Sequence, residues 1–158
     1  GYGSPWDYGF DAAQGLYVDL EHGGSYSPGL LTSKASFVLL PGYTYVLSYE
    51  LAGNQAHDPA YPASSWDTVV ASLGSFNRST IIASTDGFST YELVVAVDAV
   101  TADVMIGFEN VDGNGDSQGA LLDNVSLTAT PATPAPAALL LAAVGATFVG
   151  WARSRAFL

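Results

Sequence analysis

The stretch Thr44-Tyr-Val-Leu-Ser-Tyr-Glu-Leu-Ala52 decides the fold class. Tyr45, Leu47, Tyr49 and Leu51 alternate with Thr44, Val46, Ser48 and Glu50, the period of two expected of a strand with one face on a core and the other toward water. Val104, Ile106 and Phe108 repeat the arrangement. Between Leu16 and Thr128 the chain alternates short runs of β-branched and aromatic residues with clusters of Gly, Pro, Asn, Asp and Ser, the punctuation of strands and turns. The runs are Leu16–Glu21, Ala35–Leu39, Thr44–Ala52, Thr68–Leu73, Thr80–Ser84, Thr90–Val97, Asp103–Glu109 and Ala120–Ala129. No part of this body sustains a 3.6-residue apolar period. The expectation is an all-β, antiparallel jelly-roll β-sandwich of about eight strands over residues 1–129.

The composition breaks after that body. Thr128–Pro136 (TATPATPAP) is rich in proline and reads as an extended linker, assigned to residues 130–136. Ala137–Ala152 (AALLLAAVGATFVGWA) is apolar apart from Thr147, and Arg153 and Arg155 follow it. Sixteen helical residues reach roughly 24 Å, a little less than the roughly 30 Å hydrocarbon core of a bilayer. Trp151 followed by arginines is an interfacial, positive-inside arrangement. Residues 137–158 therefore read as one C-terminal hydrophobic helix, either a membrane tail or a helix packed on the domain or a neighbouring subunit.

Charge narrows the partners. All 15 acidic residues lie between Asp7 and Asp123, and only Lys34 and Arg78 offset them before the tail. Such a body repels phosphates and anionic lipid heads, which excludes nucleic acid as a partner. The absence of cysteine excludes disulfides, thiolate metal sites and a cysteine nucleophile. Gly1 opens the chain with no charged or apolar leader, so an export signal is expected to have been removed.

Two long irregular stretches carry candidate chemistry. Gly53–Asp67 reaches the length at which a loop in a compact domain is usually functional or mobile. Trp66, Tyr61, Asn54 and Gln55, with His57, supply rings to stack on sugar faces and amides to bond hydroxyls. Trp66 and Tyr61 are equally suited to folding back over the core. The second stretch, Asn110–Gly119, contains Asp112-Gly-Asn114-Gly-Asp116, with oxygen-bearing side chains at alternate positions as in a loop that wraps calcium. A solvated turn rich in Asp and Asn has the same sequence.

Asp123 shares strand parity with Leu121, Val125 and Leu127 and so points toward the apolar side, where a carboxylate needs a partner or a cation. A β-bulge turning it back to solvent is the competing arrangement. Catalytic constellations are lacking: His22 and His57 stand in no nucleophile elbow or HExxH helix. Glu50 and Glu109 are the pair that a glycosidase mechanism would need, at a separation one sequence does not give.

Two resemblances follow. Pro134-Ala-Pro136, the apolar run and the terminal Arg153 and Arg155 resemble the PEP-CTERM sorting tail of Gram-negative bacteria, with alanine where the motif has its central glutamate. The resemblance implies export to the cell surface or extracellular space and processing by an exosortase. Tyr17-Val-Asp19-Leu-Glu21, Pro41-Gly-Tyr-Thr-Tyr45, Ser48–Asn54 and Leu121-Leu-Asp-Asn-Val-Ser-Leu127 resemble galactose-binding-like jelly rolls of carbohydrate-binding modules. That likeness implies a structural calcium (Ca2+) joining Asp19 or Glu21 to Asp123. The reading is an exported, non-catalytic surface or matrix protein that binds polysaccharide through a calcium-stabilised jelly roll. Its alternative is a structural subunit of a filament or coat, self-assembling through β-edges or the C-terminal segment.

Overall fold

A computed structural model of the chain describes residues 16–20, 30–53, 66–111 and 119–132. Among them are ten strands: β1 (Val18–Asp19), β2 (Leu30–Thr32), β3 (Phe37–Leu39), β4 (Tyr43–Ala52), β5 (Trp66–Leu73), β6 (Phe76–Ala83), β7 (Ser89–Ala96), β8 (Thr101–Val104), β9 (Ile106–Asn110) and β10 (Leu121–Pro131). The pairing is nested. β5 pairs with β6, β4 with β7, β3 with β8, β2 with β9 and β1 with β10, all antiparallel. The chain is thus one long hairpin wrapped over itself, with β10 also pairing with β4 and β9 with β5. Wrapping produces sheet 1, in the order β1-β10-β4-β7, and sheet 2, in the order β2-β9-β5-β6, beside the small β3-β8 pair. These are the two four-stranded sheets of a jelly roll.

The tip of the hairpin is local chemistry. Leu73 pairs with Phe76 across Gly74-Ser75, and Gly74 has φ +62. A two-residue loop with glycine at positive φ in its first position suits the right-handed twist of the flanking strands. Packing does the rest. Tyr45, Leu47, Tyr49 and Leu51 on β4 are all buried, as are Val69, Ala71 and Leu73 on β5, Leu93 and Val95 on β7, and Phe108 on β9. Tyr49 joins the two sheets: its ring meets Phe108 edge-on at 5.1 Å between centroids and stacks beside Tyr91 at 6.1 Å. Such aromatic pairs contribute about 0.5–1.5 kcal/mol beyond the area they bury.

The strand pattern departs from the sequence expectation at five places, the first being β5, which begins at Trp66 inside the stretch expected to be irregular, because Trp66 and Asp67 pair with Ala83 and Ile82 of β6. β2 falls between the expected runs Leu16–Glu21 and Ala35–Leu39, outside any expected strand. The run 103–109 is two strands, because β8 pairs with β3 whereas β9 pairs with β5 and β2. β6 begins at Phe76, through the polar residues Asn77, Arg78 and Ser79, since pairing with β5 rather than apolar content makes it a strand. β10 runs on to Pro131 opposite Tyr43, beyond the expected domain end at residue 129. A proline is tolerated there because β1 pairs only with Leu121 and Leu122, which leaves the far side of β10 an open edge at Pro131 among the described residues. The C-terminal helix expected over 137–158 and the linker from residue 133 lie outside the described residues.

The parity reading of Asp123 also fails. The β10–β4 register shifts between Asp123 and Ser126, and Asn124 takes φ +50, a left-handed conformation that asparagine adopts more readily than most residues. Leu121 and Leu122 are both buried, and Asp123 is only half-buried opposite Glu50. A bulge breaks alternation in this way.

Two features set stability tests. A Cβ at Gly53 would stand 2.1 Å from the Ala83 carbonyl oxygen and 2.5 Å from the Ser84 main chain, whereas at Gly87 it would meet nothing within 4 Å. Gly53→Ala is expected to lose about 2–3 kcal/mol in urea denaturation and Gly87→Ala to stay within about 0.5 kcal/mol of the parent. Burial pushes the Tyr49 phenol above its ordinary 10.0, with smaller opposing effects from the Thr80 hydroxyl and the Arg78 charge. Tyr49 Oη and Thr80 Oγ1, although neighbours, close no well-formed hydrogen bond. The folded chain keeps the Tyr49 proton where the unfolded chain releases it, so this contribution is complete below about pH 10 and is lost as pH rises beyond it. Tyr49→Phe should stay within about 1 kcal/mol of the parent at neutral pH, having no hydrogen bond to lose. It should also shallow the stability decline above about pH 10.

Candidate functional site

The nested pairing gathers at one end of the sandwich the described flanks of the segments 21–29, 54–65 and 112–118. Leu20 N donates to the Ala120 carbonyl at 3.0 Å, Val111 N to Thr68 at 2.9 Å and Gly53 N to Asp86 at 2.9 Å. Leu121 pairs with Ala52, Asn110 with Val69 and Leu30 with Glu109. Asn54, Gln55, Tyr61, Asp112, Asn114, Asp116 and Glu21 lie outside the described residues, as do Pro134, Pro136, Arg153 and Arg155. The segments that carry the sugar and calcium candidates of the body nevertheless leave the sandwich from the same end. Nothing local in the sequence shows that meeting.

At this end the interior holds a polar pair. Asn110 Nδ2 donates to Asp67 Oδ1 at 2.9 Å, with Asp67 only 4 % and Asn110 2 % exposed. The bond fixes the amide orientation and leaves Asn110 Oδ1 buried without a donor, a cost of about 1–3 kcal/mol by general experience. Neither residue was singled out from sequence. The signal was present: Asp67 shares parity with Val69, Ala71 and Leu73, and Asn110 with Ile106 and Phe108.

Trp66 opens β5 at the same end and faces outward, 58 % exposed. It does not fold back over the core. The outward residues of β5 are Trp66, Thr68, Val70 and Ser72, and register sets Ala83, Ile81, Ser79 and Asn77 of β6 beside them. β9 adds Glu109 beside Val70 and Gly107 beside Ser72. Ile81 is exposed, and the Ser72 hydroxyl donates to the Gly107 carbonyl at 3.3 Å. The outer face of sheet 2 thus combines an indole and aliphatic carbon with hydroxyls and an amide. Glu109 is the ionisable group on these four strands' outward rows among the described residues.

The outer face of sheet 1 has another character. Glu50 accepts from Asn124 Nδ2 at 2.8 Å and from Thr90 Oγ1 at 3.4 Å, and Asp123 Oδ1 accepts from Asn124 N at 2.7 Å. Tyr17 and Phe88 meet at 6.2 Å between ring centroids. The bulge at Asn124 therefore aims an amide at Glu50, and internal donors occupy both Glu50 oxygens and Asp123 Oδ1. Asp19 opposes Leu121 on the neighbouring strand, two residues before Asp123. Among the described residues no three Asp, Glu, His or Cys side chains are placed to hold a metal ion. Asp19 and Asp123 alone do not fit calcium, which takes about six to eight oxygens. Glu50 and Glu109 lie on opposite outer faces and cannot flank one glycosidic bond.

No family model matches the chain, and no curated protein matches it. Three solved structures are similar to it. A cyclase from Fischerella sp. TAU, in complex with 4-(1H-indol-3-yl)butan-2-one, shares 22 % identity at a TM-score of 0.48, over 65 % of this chain and 56 % of that one. This chain therefore spans little more than half of the cyclase. A family 16 carbohydrate-binding module shares 17 % identity at a TM-score of 0.41, over 71 % of this chain and 83 % of that one. A CBM4 structure shares 17 % identity at a TM-score of 0.48, over 76 % of this chain and 87 % of that one.

Proposed function

We propose that the chain is a non-catalytic polysaccharide-binding β-sandwich, displayed on the bacterial cell exterior through its C-terminal tail. The observation that carries the binding reading is Trp66, an indole left largely in water on a regular sheet face lined by hydroxyls. A sugar offers apolar C–H faces to such a ring and hydroxyls to the groups around it. The acidic body, with Lys34 and Arg78 its only cations before the tail, argues against nucleic acid. Export rests on Pro134, Pro136, Arg153 and Arg155 around the apolar run. Calcium enters through Asp112, Asn114 and Asp116, not through the pair Asp19 and Asp123 alone.

Assembly through β-edges is the less favoured reading. Arg78 reaches from the edge strand β6 to the edge strand β7, donates from Nη1 to the Glu92 carbonyl at 2.6 Å and stands 5.8 Å over the Tyr91 ring. A cation engaging a main-chain group of an edge strand is one of the ways sheets resist edge-to-edge pairing.

Titration calorimetry on glycans selected from an array is expected to show binding weakened at least tenfold in Trp66→Ala, about 1.4 kcal/mol or more, with the far-ultraviolet circular dichroism unchanged. Equal binding by the variant, or binding to no glycan, rejects the proposal. Mass spectrometry of the protein recovered from its cell exterior should find a C-terminus near Pro134–Pro136. An intact Leu158 rejects the sorting reading.

A further inference from the structure

Resting on the sugar-binding reading of Trp66, we infer that the outer face of sheet 2 takes a neutral glycan chain lying along β5 and β6. Trp66 stands at one end of this run and Ser72 and Asn77 at the other, and the face rejects polyanionic glycans.

The shape comes from register. Outward residues on a strand recur every second position, so Trp66, Thr68, Val70 and Ser72 form a row roughly 20 Å long. The outward row of β6 runs beside it at roughly 4.8 Å, and β5 and β6 pair without a break from Trp66 opposite Ala83 to Leu73 opposite Phe76. An unbroken two-strand strip with its ring at one end suits an extended ligand of several sugars better than a single ring. Polar groups recur along it: Thr68, Ser79, Ser72 and the exposed Asn77. The Ser72 hydroxyl spends its proton on Gly107, which leaves its lone pairs to accept from a sugar hydroxyl.

The charge of the ligand comes from what the face lacks. Arg78 lies on the opposite parity of β6 and is engaged at β7. Lys34 sits in the turn after β2, off the strand rows. Glu109, half-buried next to Val70, accepts from hydroxyls and repels carboxylates or sulfates. A uronate or sulfate chain laid here would lose water with no described cation on the strip to pair it, on a body carrying fifteen acids against two bases.

The test uses calorimetry with cello-, laminari- and manno-oligosaccharides of increasing length, together with polygalacturonate and a sulfated glycan, at low and at roughly tenfold higher salt. The expected result is neutral oligosaccharides that bind more tightly with length up to a plateau, a Kd that moves less than about twofold with salt, and no binding of either polyanion. Trp66→Ala should weaken every length, and the loss caused by Asn77→Ala should grow with length. Polyanion binding that Trp66→Ala removes would overturn this inference while leaving the sugar reading intact. Neutral binding lost in Trp66→Ala but unaffected by both Asn77→Ala and Ser79→Ala would overturn the course along β5 and β6. Glycan binding indifferent to Trp66, or absent, would reject the underlying reading itself. Asn77 and Ser79 are exposed, so their truncation leaves the core untouched.

Discussion

The inner row of β4 is the constraint on which the rest of the structure depends. Tyr45, Leu47, Tyr49 and Leu51 are buried, and each fully buried side chain of this size stabilises by about 1.5–3 kcal/mol. β4 is the inner strand of sheet 1 that pairs with both β7 and β10, and Tyr49 carries its packing into sheet 2 through Phe108. Slipping β4 by one residue would turn this row to solvent and present Thr44, Ser48 and Glu50 to the core. The fixed register sets Gly53 near the start of β7 and of β10. The gathering of the loop flanks at one end follows from the same row.

The two outer faces, freed from the core, have acquired different chemistry. On sheet 1 the carboxylates of Glu50 and Asp123 are answered by Asn124 and Thr90. The left-handed backbone of Asn124 is the local device that brings the amide there. On sheet 2 an indole stands in water among hydroxyls.

Polar groups inside the sandwich mark where packing is incomplete. Asp67 and Asn110 hold one another at the loop-bearing end, with one amide oxygen lacking a donor. Tyr49 and Thr80 leave two hydroxyls short of partners near the β6–β7 side. Arg78 closes that side by capping a carbonyl of β7, so the one cation of β6 is spent on the edge of the sandwich rather than on a ligand surface.

The sequence by itself determined the all-β class, the inward faces of β4 and β5 and the exposed or interior options for Trp66. It also contained, unread, the inward parity of Asp67 and Asn110. These depend on the period-two alternation of a single strand, which is a local property. Only the tertiary structure decided that residues 101–110 serve three partner strands, that β2 and the polar start of β6 are strands, that a bulge turns Asp123 from the core, and that Glu50 and Glu109 lie on opposite faces. Each of those outcomes depends on which distant strand lies alongside and in what register, and pairing across such separations has no signature within the strand itself. The same holds for the meeting of three loop-bearing segments at one end, which the nested hairpin alone enforces.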